Sequence, residues 1–165
     1  MIAAASSAAL FVGLLAGCSS SGGGSGSKLS KADFITQANA ACASTLAKIK
    51  TAPTPSSLTD YATIHAYMTL GLTEEPKFLD TVTKLVDRSP DKSTLHKNWI
   101  DPETASFAQQ KPTVEQLDAA AQAKDASKVS TLVNKLSSFD SPDDGSFLTG
   151  YGLTQCAALT NYGNS

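Results

Sequence analysis

From Ile35 to Phe139 apolar residues recur three and four positions apart in successive stretches, a spacing that makes one-sided helices, and no strand pattern stands out against it. A chain of this kind must bury its apolar stripes helix against helix. Ser30, with Asp33 three residues on, resembles a helix N-terminal cap, and Ile35, Ala38, Cys42, Leu46 and Ile49 form a first stripe ending near Thr51. The Ala52–Ser57 stretch, with two prolines, is a linker. A second stripe runs through Leu58, Tyr61, Ile64, Met68 and Leu72, interrupted by Gly71 and Pro76. There Thr73-Glu74-Glu75-Pro76 reads as a cap with acidic first-turn residues, which predicts a kink or restart before Phe78, Val82, Leu85 and Val86.

Arg88–Asp91 is a turn, after which a third region carries Leu95, Trp99, Phe107, Val114 and Leu117, with boundaries or kinks expected at Asp101-Pro102 and Pro112. Ala123–Ala126 is a short turn into a fourth helix bearing Val129, Leu132, Val133, Leu136 and Phe139. Ser141–Gly145 then breaks the chain before Phe147–Cys156. The expectation is an all-α fold, an antiparallel bundle of about four helices. Its core should include Ile35, Leu46, Tyr61, Met68, Val82, Trp99, Leu132, Val133 and Leu136.

The N-terminal apolar stretch closes on Leu15-Ala16-Gly17-Cys18 and opens directly into Ser19–Ser27, made only of serine and glycine. This is a bacterial lipobox: the cysteine sulfur accepts a diacylglyceryl group, and the small residues before it fit the signal peptidase. Met1–Gly17 falls short of the roughly 20 apolar residues that span a bilayer, so a transmembrane anchor is the weaker reading. Met1–Ser6 has no Lys or Arg, a departure from ordinary signal peptides that a longer leader would repair. The expected division is signal peptide 1–17, lipidated Cys18 and flexible tether 18–28, and helical domain 29–165. The protein is then held by lipid on the extracytoplasmic face of the cell membrane.

Lipidation of Cys18 leaves Cys42 and Cys156 as an even pair in an oxidising compartment, and a disulfide is expected between them. Two buried thiols or a redox-active pair are the weaker alternatives, since redox sites favour closely spaced cysteines. The net charge of −2, with Lys and acidic residues interspersed, argues against a nucleic-acid partner.

Three segments carry a resemblance to a known group: the lipobox with its tether, Leu29–Ile35 leading into an Ala-rich helix with Cys42, and the closing Gly150–Cys156. In these the chain resembles small secreted helical lipoproteins of actinobacteria, of uncharacterised function. The resemblance implies a bundle whose first and last helices are joined by the cysteine pair. Pro142 and Gly145 depart from it, interrupting what in similar sequences looks like one continuous last helix.

Signals for chemistry are weak. His65 lies between Tyr61 and Met68, and His96 beside Leu95 and Trp99, each placed as a residue on a helical face rather than as a metal ligand. Glu74-Glu75 is suited to acid/base work but equally to a helix start. Tyr61, Tyr67, Trp99 and Phe107 would serve a ligand pocket, although aromatic residues at helical spacing are usually core. No cofactor, metal or catalytic residue is expected. The leading expectation is a non-catalytic envelope protein that binds or scaffolds another component, and the alternative is a lipid or small-molecule binder with an apolar pocket between helices.

Overall fold

The computed structural model describes residues 27–139 and 145–164. Cys18, the Met1–Gly17 leader, the tether before Ser27 and Pro142 lie outside the described residues. Every regular element within them is helical, and the helices form an antiparallel bundle whose first and last helical regions are joined by a disulfide.

Helix α1 spans Lys31–Thr51. Ser30 caps it: its Oγ accepts from Asp33 N at 3.1 Å and donates to Asp33 Oδ2 at 2.6 Å, satisfying one of the orphan donors of the first turn. The buried stripe is Phe34, Ala38, Cys42 and Leu46, while Ile35 and Ile49 are half-buried. The interior therefore begins one residue earlier than the Ile35 stripe predicts. The Phe34 ring takes that place, edge-on to Tyr151 with centroids 6.0 Å apart.

Helix α2 runs unbroken over Tyr61–Val86, which corrects the expected restart at Thr73–Pro76. Pro76 is exposed, and both halves of α2 are anchored, by burial of Ile64 at one end and of Leu79, Val82 and Val86 at the other. Glu74 and Glu75 are thus mid-helix, not at a helix start. Leu58 precedes α2 and is 46% exposed, so it leaves the second stripe altogether.

Helix α3 (Lys92–Leu95), a π-helical turn (His96–Ile100) and α4 (Asp101–Gln122) follow one another without a break. Pro112 is not a boundary, whereas Asp101-Pro102 marks the place where the π turn gives way to α4. Pro102 cannot donate back to the preceding turn, and the wider turn, closed by Asp101 N–H on the His96 carbonyl, sits immediately before it. Its product is a pair of adjacent buried residues, Trp99 and Ile100. Pro112 is exposed, as Pro76 is.

Lys124, with φ 55°, turns the chain into α5 (Ala126–Leu136), and Asp125 Oδ1 caps it by accepting from Lys128 N at 3.0 Å. Two short helices complete the chain, α6 (Ser146–Tyr151) and α7 (Thr154–Thr160), with a 3-10 turn at Asn161–Asn164. Gly152 between them has φ 96°, a left-handed conformation that costs other residues strain. Asn39 of α1 clasps this turn: its Nδ2 donates to Gly152 O at 2.9 Å and its Oδ1 accepts from Gln155 N at 2.9 Å. The clasp brings Cys156 over Cys42, and the two are bonded with Cα atoms 4.9 Å apart.

Packing sorts the interior into two clusters. Helix α1 lies against α2 and α7, and their cluster is built on Phe34, Val82, Val86, Leu95, Trp99 and the disulfide. Helix α4 lies against α2 and α5, and their cluster is built on Ile64, Leu117, Val129 and Leu132. Tyr61, Met68, Val133 and Leu136 flank the second cluster half-buried, rather than forming its centre as expected.

Candidate functional site

Helices α1 and α7 pack at one end of the α2–α4 pair and α5 at the other, and a half-open cleft of about 430 Å³ lies among them. Its volume falls in the range of small-molecule sites, about 300–1,000 Å³. Apolar side chains come from every side: Ile49 of α1, Leu70 and Phe78 of α2, Trp99 of the π turn, Leu136 of α5, Phe139 beyond it, and Leu159 of α7. Gly71 also lines the cleft, and a Cβ there would meet nothing within 4 Å. The π turn matters here because it keeps Trp99 at the wall while Ile100 fills the core beside it.

Charged groups enter from α2 and α4, and Thr45 of α1 and Thr160 of α7 add hydroxyls. Glu74 is clamped by Lys48 of α1 at 2.5 Å and Lys77 at 2.8 Å, which hold its carboxyl down at about 2. Glu75 is in the opposite state. It remains accessible to solvent as a residue, yet protein crowds its carboxyl along the concave wall, and this desolvation, with the Glu103 charge second, pushes it up to about 7. Glu103 lines the same cleft, as do Ser106 and Gln110, whose Nε2 donates to Ser106 Oγ at 2.9 Å. Burial raises the Tyr67 phenol, with the nearby Tyr162 adding to the effect.

Of the aromatic candidates, Tyr67 and Trp99 line the cleft, whereas Tyr61 packs against the second cluster and Phe107 lies outside the lining. Both histidines are held elsewhere. His65 Nδ1 lies 2.5 Å from Asp118 Oδ1, and Gln122 Nε2 donates to the other Asp118 oxygen at 2.8 Å. His96 bridges two carboxylates, with Nε2 3.2 Å from Asp87 Oδ1 and Nδ1 3.1 Å from Asp101 Oδ1, and Lys92 pairs with Asp87 at 2.6 Å. Glu74 and Glu75 share the cleft because they are neighbours on one helix. No group of three or more His, Cys, Asp or Glu suited to a metal ion occurs among the described residues.

Glu103, Ser106 and Gln110 are among the lining residues that the sequence does not single out, with Thr45, Leu70, Leu159 and Thr160. The three- and four-residue spacing of Glu103, Ser106 and Gln110 is visible, but a polar stripe on a helix ordinarily marks the solvent face. No family model, curated protein or solved structure matches this chain.

Proposed function

We propose that this chain is an envelope lipoprotein, anchored at the extracytoplasmic membrane face by lipid on Cys18, that binds a small, partly apolar molecule in the cleft without transforming it. The observation that carries the reading is the cleft itself, a concavity with apolar side chains from α1, α2, the π turn, α5 and α7 and with its charged groups on α2 and α4. The alternative, a scaffold docking another envelope protein, draws less support from the surface, because Leu58 is the only large apolar residue exposed among the described residues. A binding role fits the histidines as well, each held by carboxylates away from the cleft.

Trp99 is the only tryptophan of the chain and, though only 2% exposed, borders the cleft, so its emission is the intrinsic probe of occupancy. Octyl glucoside, titrated below its micelle concentration into the full chain carrying Cys18→Ser, is expected to shift Trp99 emission saturably. Gly71→Leu should fill the vacant space and abolish the response without loss of folding, since a mid-helix glycine costs about 1 kcal/mol relative to a good helix former. A flat titration, or a response that Gly71→Leu leaves intact, overturns the cleft as the site.

Anchoring has its own test. Cys18→Ser should leave an unprocessed, unacylated precursor, whose mass retains residues 1–17 and lacks any acyl addition. Mass spectrometry of the unsubstituted protein that finds no diacylglyceryl adduct on Cys18 would refute the lipoprotein reading.

A further inference from the structure

Ser27, the first of the described residues, is held to the fold at one place. Leu29 N donates to Arg88 O at 2.8 Å, and Arg88 Nε donates to Ser27 O at 3.0 Å. Both bonds pin the start of the described chain to the turn between α2 and α3, beside the N-terminus of α1. Ser19–Ser27 is all that carries the chain from Cys18 to this point, and an extended chain gains at most about 3.6 Å per residue, roughly 30 Å in all. A lipid on Cys18 therefore keeps this end of the bundle within about 30 Å of the bilayer. The opposite end is about 40 Å away, since the 26 residues of α2 rise about 1.5 Å each.

Cations collect at the pinned end. Ser27–Asp33 and Lys84–Lys97 bring six, Lys28, Lys31, Lys84, Arg88, Lys92 and Lys97, against three carboxylates, Asp33, Asp87 and Asp91, in a chain whose net charge is −2. Lys31 pairs with Asp91 at 3.5 Å, Lys92 with Asp87 at 2.6 Å, and Lys84 with Asp80 one turn further in at 2.6 Å. Lys28, Arg88 and Lys97 enter no ion pair among the described residues, and Lys28 and Lys97 are exposed. Exposed cations without a counter-charge are drawn to a surface of the opposite sign, and the headgroups of an anionic leaflet are such a surface.

We propose that this end of the bundle rests on anionic phospholipid headgroups, with Lys28, Arg88 and Lys97 as the charges that meet them. The proposal rests on the reading of Cys18 as a lipid anchor and adds the orientation that an anchor on a flexible tether leaves open. Held in this way the cleft stands clear of the headgroups, since Phe78 and Gly71 lie about 15 and 25 Å along α2 from Arg88.

The test uses the lipidated protein reconstituted into vesicles of phosphatidylglycerol or of phosphatidylcholine, treated with acetic anhydride and analysed by mass spectrometry for acetylation at each lysine. Lys28, Lys31, Lys92 and Lys97 are expected to label about threefold more slowly on phosphatidylglycerol than on phosphatidylcholine, with the difference lost in about 0.5 M salt. Lys124 and Lys128 serve as controls and should label alike on both, because the turn from α4 into α5 packs by Ile64 at the opposite end of α2. Lys28→Glu together with Lys97→Glu, both at exposed positions, should abolish the protection of Lys31 and Lys92. If the protein floats with both vesicles and the two ends label alike, the headgroup assignment falls while the anchor stands. Protection of Lys124 and Lys128 instead, or protection that survives the double substitution, also overturns it. If the protein floats with neither vesicle and carries no acyl adduct, the anchoring reading falls and the assignment with it.

Discussion

Replacing Cys42 and Cys156 together by alanine is expected to destabilise the domain by on the order of 4–5 kcal/mol, a large share of the roughly 5–15 kcal/mol that holds such a domain folded. The bond spans 114 residues of chain, and in the chain-entropy account a cross-link that closes so long a loop removes much of the freedom of the unfolded state. Nearly the whole described bundle lies inside that loop. Both cysteines are buried in the first cluster, so the substitution also removes sulfur atoms from packed positions. Urea unfolding of the double variant should show a lowered midpoint, and reduction of the unsubstituted protein should reproduce it. The same change frees α7, whose Cys156 and Leu159 line the cleft, so Trp99 emission should move toward that of solvent-exposed tryptophan. A loss below about 1 kcal/mol would show that the Asn39 clasp and the α1–α7 packing suffice without the cross-link.

Phe34→Ala is expected to cost about 3–5 kcal/mol. The side chain has no exposed surface, sits in the cluster with Leu148 and Leu153, and meets Tyr151 edge-on at 81° between ring planes. Its removal leaves a cavity that neighbours tied by the disulfide and the Asn39 clasp are poorly placed to fill. Ile35→Ala, one residue along and half-buried, should cost well under that. The pair tests the register of α1 by urea unfolding. Should Ile35→Ala prove the more damaging, the inward face of α1 is the one centred on Ile35.

What could be read locally was read correctly where one interaction dominates. Ser30 and Asp33 mark the start of α1 because a cap needs only residues within one turn. The turn at Ala123–Asp125 and the stripe from Val129 to Leu136 likewise depend on near neighbours. Pro76 and Pro112 predict breaks where the helix continues for a tertiary reason: each is exposed in a helical run held by burial on both sides, Ile64 and Leu79 around Pro76, and Ile100 of the π turn and Thr113 around Pro112. The choice of Phe34 over Ile35 was equally out of reach. Both are apolar and adjacent, and only the position of Tyr151, far along the chain, decides which points inward.

The sequence by itself determined the class of fold, through apolar residues recurring at helical spacing, and pointed to the pairing of the ends, through Cys42 and Cys156 as the even pair left on the expectation that Cys18 takes lipid. The cleft is a different matter. It exists because α1 with α7 and α5 occupy different ends of the α2–α4 pair, a relation among helices distant in sequence that no local pattern encodes. Trp99 reads as core and is core, 2% exposed, and it also borders the cleft from behind. Glu103, Ser106 and Gln110 read as a solvent face, and only the packing of α4 against α2 places that face toward Glu75. Spacing along one helix fixes which residues share a face; what the face meets is set by how whole helices pack, and the character of the site is decided there.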